Sequence, residues 1–543
     1  MESATSVYIR GPVRLRRARG QLRWQRLVVL IFLVAFGLRM VYVQGRPLWY
    51  DEAFAILYAC LSPAQMIYGT VTPVEGAGAA DVHPLLYYFL LHGWMGLAGR
   101  SPLAARFLSV ALGMIAVALI LRLGVWCFGW RTGLAAGLLA AVNPFHVVYS
   151  QEARMYALLG LGAVVAVWGL LRGLEEARDE KQKVEGRKRD AGGRRLVAKG
   201  VAWWRWWAVY AGGAALTLYA HNLGVFFLLA LHLLAVARRR WWARLSSLAL
   251  ADLVALVLFS PWLIGVLPGQ VGFVERGYWL TPPGMEEVVR AFLLPVLTFY
   301  EPAPLWVLGL GLFTCLLLLT LLVLRIWQVR SRAGWFLLLC WVPVASLLLV
   351  SQWRPLYLER ALLPSALLYL VAVGWLLVRG GLPRPLRLGL AVLLTVSVAG
   401  SLGVHYTYAR FPRPPFLDAV AYLEPRVGPA DVVVHTNKLT YFPMHVYAPK
   451  LGDVFLADSP GSPQDTLAYP TQEALGIFAT PTMAEAVGVS RRVWVIYFLR
   501  EVDEMQAIGI NPPALSWLED RFVEVERVEF NDLAVALYCR EGS

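Results

Sequence analysis

Charged residues are scarce in this chain of 543 residues, where Asp, Glu, Lys and Arg together make up 16% of the sequence. A soluble protein of this length carries about 25% charged residues and lacks repeated apolar runs of membrane length. Here hydrophobic residues make up 58% of the chain, and several apolar runs are long enough to cross a bilayer. The composition therefore excludes a soluble globular protein and predicts an integral membrane protein.

Cysteine is rare as well, with five residues that lie far apart in the sequence. Their spacing matches neither a metal site nor a framework of disulfides. The C-terminal region contains no glycine-rich phosphate loop and no nucleophile elbow. The apolar region before it shows no internal repeat of the kind found in many transporters. These absences remove several motif-based functions and disfavour a transporter built from repeats.

Basic residues outnumber acidic ones, and the formal net charge is +14. The arginines cluster in short segments between apolar runs, as the positive-inside rule predicts, so we expect no nucleic-acid partner. Residues 1–26 are basic and precede an apolar run without a small-residue cleavage site. This pattern predicts a cytoplasmic N-terminus and a retained signal anchor. Residues 172–202 mix acids with bases and are predicted to form a flexible cytoplasmic linker.

Eleven apolar segments are predicted to be membrane spans. They are residues 27–43, 103–126, 134–149, 155–171, 203–220, 222–237, 246–266, 304–324, 335–351, 361–378 and 387–404. With the N-terminus inside, these crossings place every basic cluster on the cytoplasmic side of the cell membrane. The apolar segment 83–98 would extend only about 24 Å as a helix, which is short of the ~30 Å hydrocarbon core. We therefore expect a juxtamembrane or re-entrant helix there, within the first outer loop, residues 44–102.

The predicted fold is a polytopic α-helical membrane protein with a C-terminal extracytoplasmic α/β domain. The membrane domain covers residues 27–404, and the C-terminal domain covers residues 405–543, which carry 18 acidic and 11 basic residues. Alternating strands and helices predict a small α/β domain. Its strands are expected at 431–434, 493–498, 522–528 and 534–537, its helices at 415–423, 481–489 and 513–521, and a hairpin turn at 531–532.

Two adjacent carboxylates, Asp51 and Glu52, follow the first apolar segment on the predicted outer side. They form either an exposed acidic pair or part of a polar site, because charges at a membrane boundary need water or a cation. The same loop contains His83 and Tyr87, and Arg106 lies at the start of the next span. Arg106 either extends its charge to the interface or faces the same site.

A second polar cluster lies in residues 143–156, between two predicted spans, and includes Glu152, Arg154 and Tyr156. A turn with only a structural role needs a proline and a polar cap rather than several ionisable side chains. Glu152 and Arg154 either pair with each other or contribute to a site. A weaker third group contains His221, for which an ordinary buried histidine is an equally good interpretation.

Carboxylates and arginines on one side of a membrane suit the transfer of a sugar from a lipid-phosphate donor. An acceptor hydroxyl needs a carboxylate base within hydrogen-bond distance. The departing polyprenyl phosphate needs no proton, only cations that stabilise its developing charge, and arginine suits that role. A bundle of helices supplies an apolar groove for the isoprenoid chain.

Four stretches of the sequence carry a resemblance to a known family: LWYDEAF at 48–54, HPLLYY at 83–88, ARFLS at 105–109 and NPFHVVYSQEARMYALL at 143–159. Together they resemble the GT-C superfamily of membrane glycosyltransferases. The bacterial group related to protein O-mannosyltransferases and lipid A aminoarabinose transferases is the most similar. The likeness is strong over residues 27–171 and looser over residues 200–405. Where the family often has two prolines after the position of His83, this chain has Pro84 and Leu85.

The resemblance implies an inverting, mannosyltransferase-like enzyme that uses a polyprenyl-phosphate-linked sugar and an acceptor hydroxyl of a protein or glycan. It implies that Asp51 is the general base, with Glu52 as a second acid or orienting group. It also implies that Arg106 and Arg154 contact the donor phosphate. The other candidate substrate-binding residues are His83, Tyr87, Glu152, Tyr156 and His221.

Alternatives to a metal-independent enzyme remain open. Asp51, Glu52 and His83 could bind a divalent cation, but their spacing matches no recognised motif, and we expect no cofactor. A lipid-linked glycan transporter or flippase would place ionisable residues near the bilayer midplane. Arg39, within the first span, is the one such residue, and we expect its side chain to extend outward. A sensor or scaffold would leave the carboxylates and arginines without a role.

Overall fold

The computed structural model describes residues 11–74, 83–189, 204–270, 280–298, 303–458 and 467–540. The helices are α1 (Gly11–Met40), α2 (Tyr50–Ala59), α3 (Pro63–Val71), α4 (Leu86–Ala98), α5 (Pro102–Phe128), α6 (Trp130–Val142), α7 (Pro144–Ser150), α8 (Tyr156–Arg189), α9 (Trp204–Ala220), α10 (Gly224–Val236), α11 (Leu245–Gly265), α12 (Met285–Leu293), α13 (Leu305–Val329), α14 (Ala333–Val350), α15 (Leu363–Arg379), α16 (Arg384–Thr407), α17 (Phe416–Leu423), α18 (Lys438–Tyr447), α19 (Tyr469–Leu475), α20 (Met483–Val487), α21 (Leu499–Ala507) and α22 (Pro513–Glu519). Short 3₁₀ helices cover Arg239–Arg244 and Glu359–Leu362. The strands are β1 (Val432–His435), β2 (Val454–Phe455), β3 (Arg492–Phe498), β4 (Val523–Phe530) and β5 (Leu533–Cys539).

Seven helical segments in the described part of the chain are long and apolar enough to cross a membrane, or eight if a bent pair counts as one span. The chain is therefore a multi-pass membrane protein. The seven segments are Pro102–Phe128, Tyr156–Glu175, Arg239–Gly265, Leu305–Val329, Ala333–Val350, Glu359–Arg379 and Arg384–Thr407. One further predicted span corresponds to the bent pair. The remaining three of the eleven are helical, but they are too short or too charged to count as spans by length and composition. Of these, α1 contains several arginines, α9 has 17 residues and α10 has 13.

The bent pair is broken at Asn143. Helix α6 ends one residue before it, and α7 begins at Pro144 in a direction that differs by 57°. The Asn143 side chain accepts a hydrogen bond from the backbone N–H of His146 at 2.9 Å, and proline suits a first helical turn because it has no N–H to satisfy. The predicted span 134–149 is therefore bent at Asn143 rather than one straight helix. About half of the predicted turn at 143–156, residues Pro144–Ser150, is helical.

Two predicted loop segments are also helical. Segment 83–98 contains α4, whose 13 residues agree with the short helix expected there. Helix α8 continues to Arg189, so the first part of the predicted linker at 172–202 is helix rather than flexible chain. Residues 190–202 lie outside the described part of the chain.

Helices α8 and α9 approach each other closely because glycines line their contact. A Cβ atom at Gly169 would lie 2.4 Å from the backbone nitrogen of Tyr210, and one at Gly213 would lie 2.5 Å from that of Ala166. Larger side chains at these positions would force the two helices apart. This packing fixes the direction of α8, whose first residue, Tyr156, belongs to the site described below.

The C-terminal strands form one sheet in the order β2-β1-β3-β5-β4. Strand β1 pairs in parallel with β2 and β3, and β5 pairs antiparallel with β3 and β4. Strands β3 and β5 are almost entirely buried, whereas β4 is an exposed edge strand rich in charged residues, which disfavour pairing with other chains. The predicted α/β domain is confirmed, with Asn531 in a left-handed conformation (φ 59°) at the expected hairpin turn.

The C-terminal domain packs against the segment of the membrane domain between α1 and α5. Helix α18 lies on α2, where the rings of Tyr50 and Phe442 meet edge to face at 5.4 Å. The backbone N–H of Leu48 donates to the hydroxyl of Tyr447 at 2.8 Å. Helix α19 packs against α3 in the same segment. The two domains therefore share an interface directly beside Asp51 and Glu52.

Glu501, in the first turn of α21, accepts a hydrogen bond from the amide of Asn437 at 2.6 Å. Burial, assisted by the charge of Asp458 and opposed by a hydrogen bond from Thr436, raises the pKa of Glu501 from 4.5 to about 7. A pKa that is higher in the folded state means that folding favours the protonated acid. The stability from Glu501 is therefore complete below pH 4.5 and is lost as the pH rises through about 7.

We predict that Glu501→Gln removes this loss of stability at high pH, since glutamine keeps a hydrogen-bond acceptor but carries no charge. The unfolding midpoint of the variant should exceed that of the wild type at pH 8 and match it at pH 5. Asp520→Asn is the control, because Asp520 is exposed and its carboxylate lies 3.6 Å from Arg521. Equal wild-type and Glu501→Gln midpoints at pH 8 would contradict the prediction.

Candidate active site

Glu52, in the first turn of α2, is fully buried. Arg106 of α5 donates to both of its carboxylate oxygens at 2.8 Å. Arg413 donates to Oε2 at 2.5 Å, and the backbone N–H of Ala153 donates to Oε1 at 3.0 Å. Each carboxylate oxygen therefore has two partners. Burial alone would raise the pKa of Glu52, but the two guanidinium groups keep it well below its ordinary range.

Arg413 connects this carboxylate to a second one. Its Nη2 donates to Oε1 of Glu152 at 2.7 Å, and Glu152 is also buried. Arg106 directs its remaining donors to backbone carbonyls of residues 43–47. We call Glu52, Arg106, Glu152 and Arg413 the inner quartet. Its two negative and two positive charges balance, which is the condition for burying ions without water.

Asp51, the neighbour of Glu52, has a different environment and keeps 17% of its side chain exposed. Its Oδ2 lies 2.7 Å from Nη1 of Arg360 and 3.6 Å from Nη2 of Arg154. Arg154 also donates to the hydroxyl of Tyr88 at 3.1 Å. We call Asp51, Arg154 and Arg360 the outer triad. Burial acts to raise the pKa of Asp51, but the charges of Arg154 and Arg360 bring it below its ordinary value of 3.8.

Aromatic rings surround the outer triad. The guanidinium carbon of Arg360 lies 5.0 Å from the ring centroid of Trp49 and 5.4 Å from that of Tyr156, both within the range of a cation–π contact. The ring of His221 lies 6.0 Å from Tyr156 and 5.7 Å from His83. Burial and the nearby positive charges lower the pKa of His221 well below its usual value. His221 therefore presents a neutral imidazole.

Tyr87 contacts the outer triad indirectly, through Ser109. Its hydroxyl lies 2.9 Å from the Oγ atom of Ser109, which in turn donates to the backbone carbonyl of Arg154 at 3.4 Å. Burial raises the pKa of Tyr87, so it is a neutral phenol. These contacts place the backbone of Arg154 and do not support the substrate contact expected for Tyr87.

The nine residues expected from the sequence lie in one region of the structure. They belong to the inner quartet, to the outer triad or to the rings around it, except Tyr87, which contacts Ser109. Asp51 and Glu52 are not an exposed acidic pair, and Glu152 bonds to Arg413. Arg106 neither extends to the interface nor faces a ligand, because it is fully buried and donates to Glu52 and to backbone carbonyls. The geometry therefore does not support the expected contact between Arg106 and a donor phosphate.

Sequence analysis did not single out two arginines of the site, Arg360 and Arg413. Arg360 directly precedes an apolar run, next to Glu359, and a charged pair at that boundary is the signal that could have identified it. Arg413 lies between Pro412 and Pro414 in a segment without periodicity, and it offers no such signal.

Arg39 is buried rather than extended outward. Its guanidinium donates to the carbonyl of Ala141 at 3.0 Å and lies 2.8 Å from Nδ1 of His146, where α6 gives way to α7. In return, the side-chain amide of Gln151 donates to the carbonyl of Arg39 at 3.0 Å and to that of Val41 at 2.9 Å. Arg39, at the end of α1, thus satisfies a free carbonyl at the end of α6, and Gln151, which follows α7, satisfies free carbonyls at the end of α1. These bonds fix the chain leading to Glu152 and Arg154.

The described residues include no group of three or more His, Cys, Asp or Glu side chains arranged to hold a metal ion. Asp51, Glu52 and His83 are the residues considered above as ligands of a divalent cation. Of these, Glu52 already pairs with Arg106 and Arg413 through its carboxylate. The described side chains of the site therefore suit an anion better than a cation.

Comparisons with known proteins agree with this architecture. Residues 82–183 match the family model described as dolichyl-phosphate-mannose-protein mannosyltransferase. The matched stretch includes α4 to α7 and most of α8, and so contains most of the predicted site residues. In a search of curated proteins by sequence, nothing matches the chain.

Three solved structures are similar over most of the chain. ArnT from Cupriavidus metallidurans bound to undecaprenyl phosphate has 14% identity and a TM-score of 0.58, covering 94% of this chain and 97% of ArnT. ArnT in the apo state has a TM-score of 0.61 at the same identity and coverage. The archaeal oligosaccharyltransferase AglB from Archaeoglobus fulgidus, in complex with an inhibitory peptide and a dolichol-phosphate, has 11% identity and a TM-score of 0.50, covering 96% of this chain and 75% of AglB. The chain therefore has the GT-C fold, and the resemblance expected from the sequence is confirmed.

We predict that Glu52→Gln destabilises the protein strongly, because it leaves Arg106 and Arg413 buried with an uncompensated charge. Breaking a buried ion pair in this way costs about 3–5 kcal/mol. A lower unfolding midpoint in detergent and a smaller yield of folded protein should reveal the effect. Asp51→Asn is the matched control, and its midpoint should stay close to that of the wild type. If Glu52→Gln unfolds at the wild-type temperature, the inner quartet does not have this structural role.

Proposed function

We propose that this protein is a glycosyltransferase that moves a sugar from a polyprenyl-phosphate donor to an acceptor hydroxyl at the extracytoplasmic membrane face. The observation that carries the proposal is the outer triad: one partly exposed carboxylate between two arginines, beside a balanced and buried inner quartet. Of these two clusters of described residues, the outer triad is the one with partly exposed charges, on Asp51 and Arg360. It therefore provides the base and the cations that the reaction needs.

Asp51 is the proposed general base. In an inverting direct displacement, the acceptor oxygen attacks the anomeric carbon, the bond from that carbon to the phosphate oxygen breaks, and the hydroxyl proton passes to Asp51. The lowered pKa of Asp51 means that the carboxylate is ionised at neutral pH, as a proton acceptor must be. Glu52 is unsuited to the role because all of its hydrogen-bonding capacity is used internally.

Arg154 and Arg360 are the proposed phosphate-binding groups. Among the described residues, the outer triad carries one negative and two positive charges, a net charge that one anionic phosphodiester would balance. The departing lipid phosphate gains a further negative charge, and preorganised guanidinium groups stabilise it without reorganisation. Tyr156 and the neutral imidazole of His221 lie beside this position, where we propose that they contact the sugar or phosphate, together with His83.

The similar structures support a lipid-phosphate donor. ArnT was solved with undecaprenyl phosphate and AglB with a dolichol-phosphate. The family model that matches residues 82–183 supports a mannosyl or related hexosyl group as the transferred sugar. We propose that the protein lies in the cell membrane with its N-terminus in the cytoplasm and its C-terminal domain outside, as the distribution of arginines favours. That domain, which supplies Arg413, would then face the acceptor.

We predict that Asp51→Asn lowers the transfer rate about 10²- to 10⁴-fold, the usual contribution of a general base, while the protein still folds. The assay uses purified protein, a radiolabelled polyprenyl-phosphate sugar and membranes from cells that lack the protein as the source of acceptor. Asp418→Asn, at an exposed position of α17, is the control and should transfer at the wild-type rate. Wild-type rates for Asp51→Asn would overturn the base assignment. Translocation of intact donor across proteoliposomes without cleavage would instead identify a flippase.

A second prediction concerns pH. Because Arg360 helps to lower the pKa of Asp51, the transfer rate should show no loss from Asp51 protonation between pH 8 and about 5. Arg360→Gln should move the acid limb of the rate profile to higher pH, besides lowering the maximal rate about 10²-fold by removing a phosphate contact. An unchanged acid limb in the active fraction of this variant would contradict the assignment of Asp51 as the base.

A further inference from the structure

A cavity of about 720 Å³ lies beside the C-terminal sheet, where the chain leaves α16. Its described lining comes from residues 408–411, from the first turns of α21 and from the β4–β5 turn. The volume lies within the range of small-molecule sites, about 300–1,000 Å³. The described lining includes no residue that we assign to the transfer step, so the cavity needs a separate explanation.

Hydrogen bonds join the three segments that form the cavity. The carboxylate of Asp532 accepts from the backbone N–H of Phe411, and the side-chain amide of Asn531 donates to the carbonyl of Ala409, both at 2.5 Å. The backbone N–H of Leu499 donates to the carbonyl of Asp532 at 2.8 Å. The walls are therefore held together without a ligand, which lowers the entropic cost of binding one.

The cavity lies at the end of the sheet that faces the active site. Helix α21 begins directly after β3, which runs parallel to β1, and the helix that follows β1 packs on α2. In open α/β sheets, ligands bind beyond the carboxyl ends of the strands. The backbone N–H of Arg413 donates to the carbonyl of Arg410 at 2.6 Å. One turn of chain therefore separates the cavity wall at Arg410 from Arg413, which contacts Glu52.

Charged groups of both signs line the cavity. Two arginines, Arg410 and Arg500, face two aspartates, Asp503 and Asp532, in a described lining with no net charge. The carboxylates disfavour a phosphate or another anion. Arg410 and Asp503 are exposed, and within the part of the chain that the structure describes their side chains make no hydrogen bond or ion pair. They are available as a hydrogen-bond donor and an acceptor.

We infer that this cavity binds a sugar unit of a glycan, and that the acceptor in the proposed transfer is a glycan rather than a protein. Sugar hydroxyl groups both donate and accept hydrogen bonds, so one unit can use the guanidinium of Arg410 and the carboxylate of Asp503 together. The ring of Phe411 adds apolar surface for the C–H face of a sugar. The identity of the acceptor rests on the proposed function, whereas glycan binding does not.

A peptide fits this cavity less well than a glycan. Extended peptides add to a free strand edge, and helical peptides fill an apolar groove. The strands that end at the cavity, β3 and β5, are interior strands that pair on both sides. Most of the described lining is polar or charged rather than apolar. Neither mode of peptide recognition is therefore open here.

Binding to the full-length protein in detergent tests the inference without a transfer reaction. The first probe is the glycan fraction that remains after exhaustive proteinase K digestion of membranes from cells that lack the protein, labelled with a fluorophore at its reducing ends. The second probe is a labelled threonine-rich peptide, and fluorescence polarisation reports binding of each. We expect saturable binding of the glycan and at least tenfold weaker binding of the peptide. No saturable glycan binding, or tighter peptide binding, would overturn the inference.

Variants separate the cavity from general surface charge. Arg410→Gln and Asp503→Asn should fold normally, because both residues are exposed, and each should weaken glycan binding about tenfold through the loss of a charged hydrogen bond. The control combines Asp418→Asn with Lys450→Gln, which removes one exposed charge of each sign outside the cavity. It should change the affinity less than twofold. Unchanged affinity in both cavity variants, or an equal loss in the control, would show that the cavity is not the site.

The transfer assay tests the class of acceptor. Acceptor membranes are treated beforehand with sodium periodate, which oxidises the vicinal diols of sugars, or with proteinase K. We expect periodate to abolish transfer of the labelled sugar and proteinase K to leave it intact. Asp503→Asn should raise the half-saturating acceptor concentration about tenfold at a nearly unchanged maximal rate. Loss of transfer after proteinase K alone would overturn the glycan acceptor and leave the glycosyltransferase assignment intact, whereas no transfer by the wild type on untreated membranes would contradict the proposed function itself.

Discussion

The structure depends on one buried interaction, the contact of the Glu52 carboxylate with Arg106 and Arg413. This contact joins α2, the long helix α5 and the start of the C-terminal domain at one point. Adjacent residues of a helix project about 100° apart, so fixing Glu52 inward also fixes the position of Asp51. The partly exposed Asp51 then meets Arg154 and Arg360. A structural ion cluster therefore positions the carboxylate that we assign to chemistry.

The break between α6 and α7 is the second constraint on the site. A continuous helix through Asn143 would carry Glu152 and Arg154 away from α2. Pro144 begins a new helix instead, and Arg39 and Gln151 satisfy the carbonyls that the ends of α6 and α1 leave free. Polar residues within an apolar bundle here stabilise a change of chain direction. Their role is structural.

Much of this organisation could be predicted from local sequence. Apolar runs predicted the helices, because length and hydrophobicity are local properties, and the residue types in two short motifs located the site. Which carboxylate is buried could not be predicted, because the partners of Glu52 lie 54 and 361 residues away. The same limit applies to Arg413, which lacks a local pattern, and to β2, which has only two residues. At the break, the sequence has a helix-capping residue, Asn143, followed by Pro144, which indicates the start of a new helix. The residues on both sides are apolar, and their hydrophobicity predicted a single span instead.

A structure of the protein with a polyprenyl phosphate bound tests the central claim most directly. The account predicts that the phosphate lies within hydrogen-bond distance of Arg154 and Arg360, next to an Asp51 carboxylate turned toward the sugar position. It also predicts that Glu52 keeps its contacts with Arg106 and Arg413. A phosphate bound by Arg106, or one that lies away from the outer triad with Asp51 still enclosed by its arginines, would contradict the account.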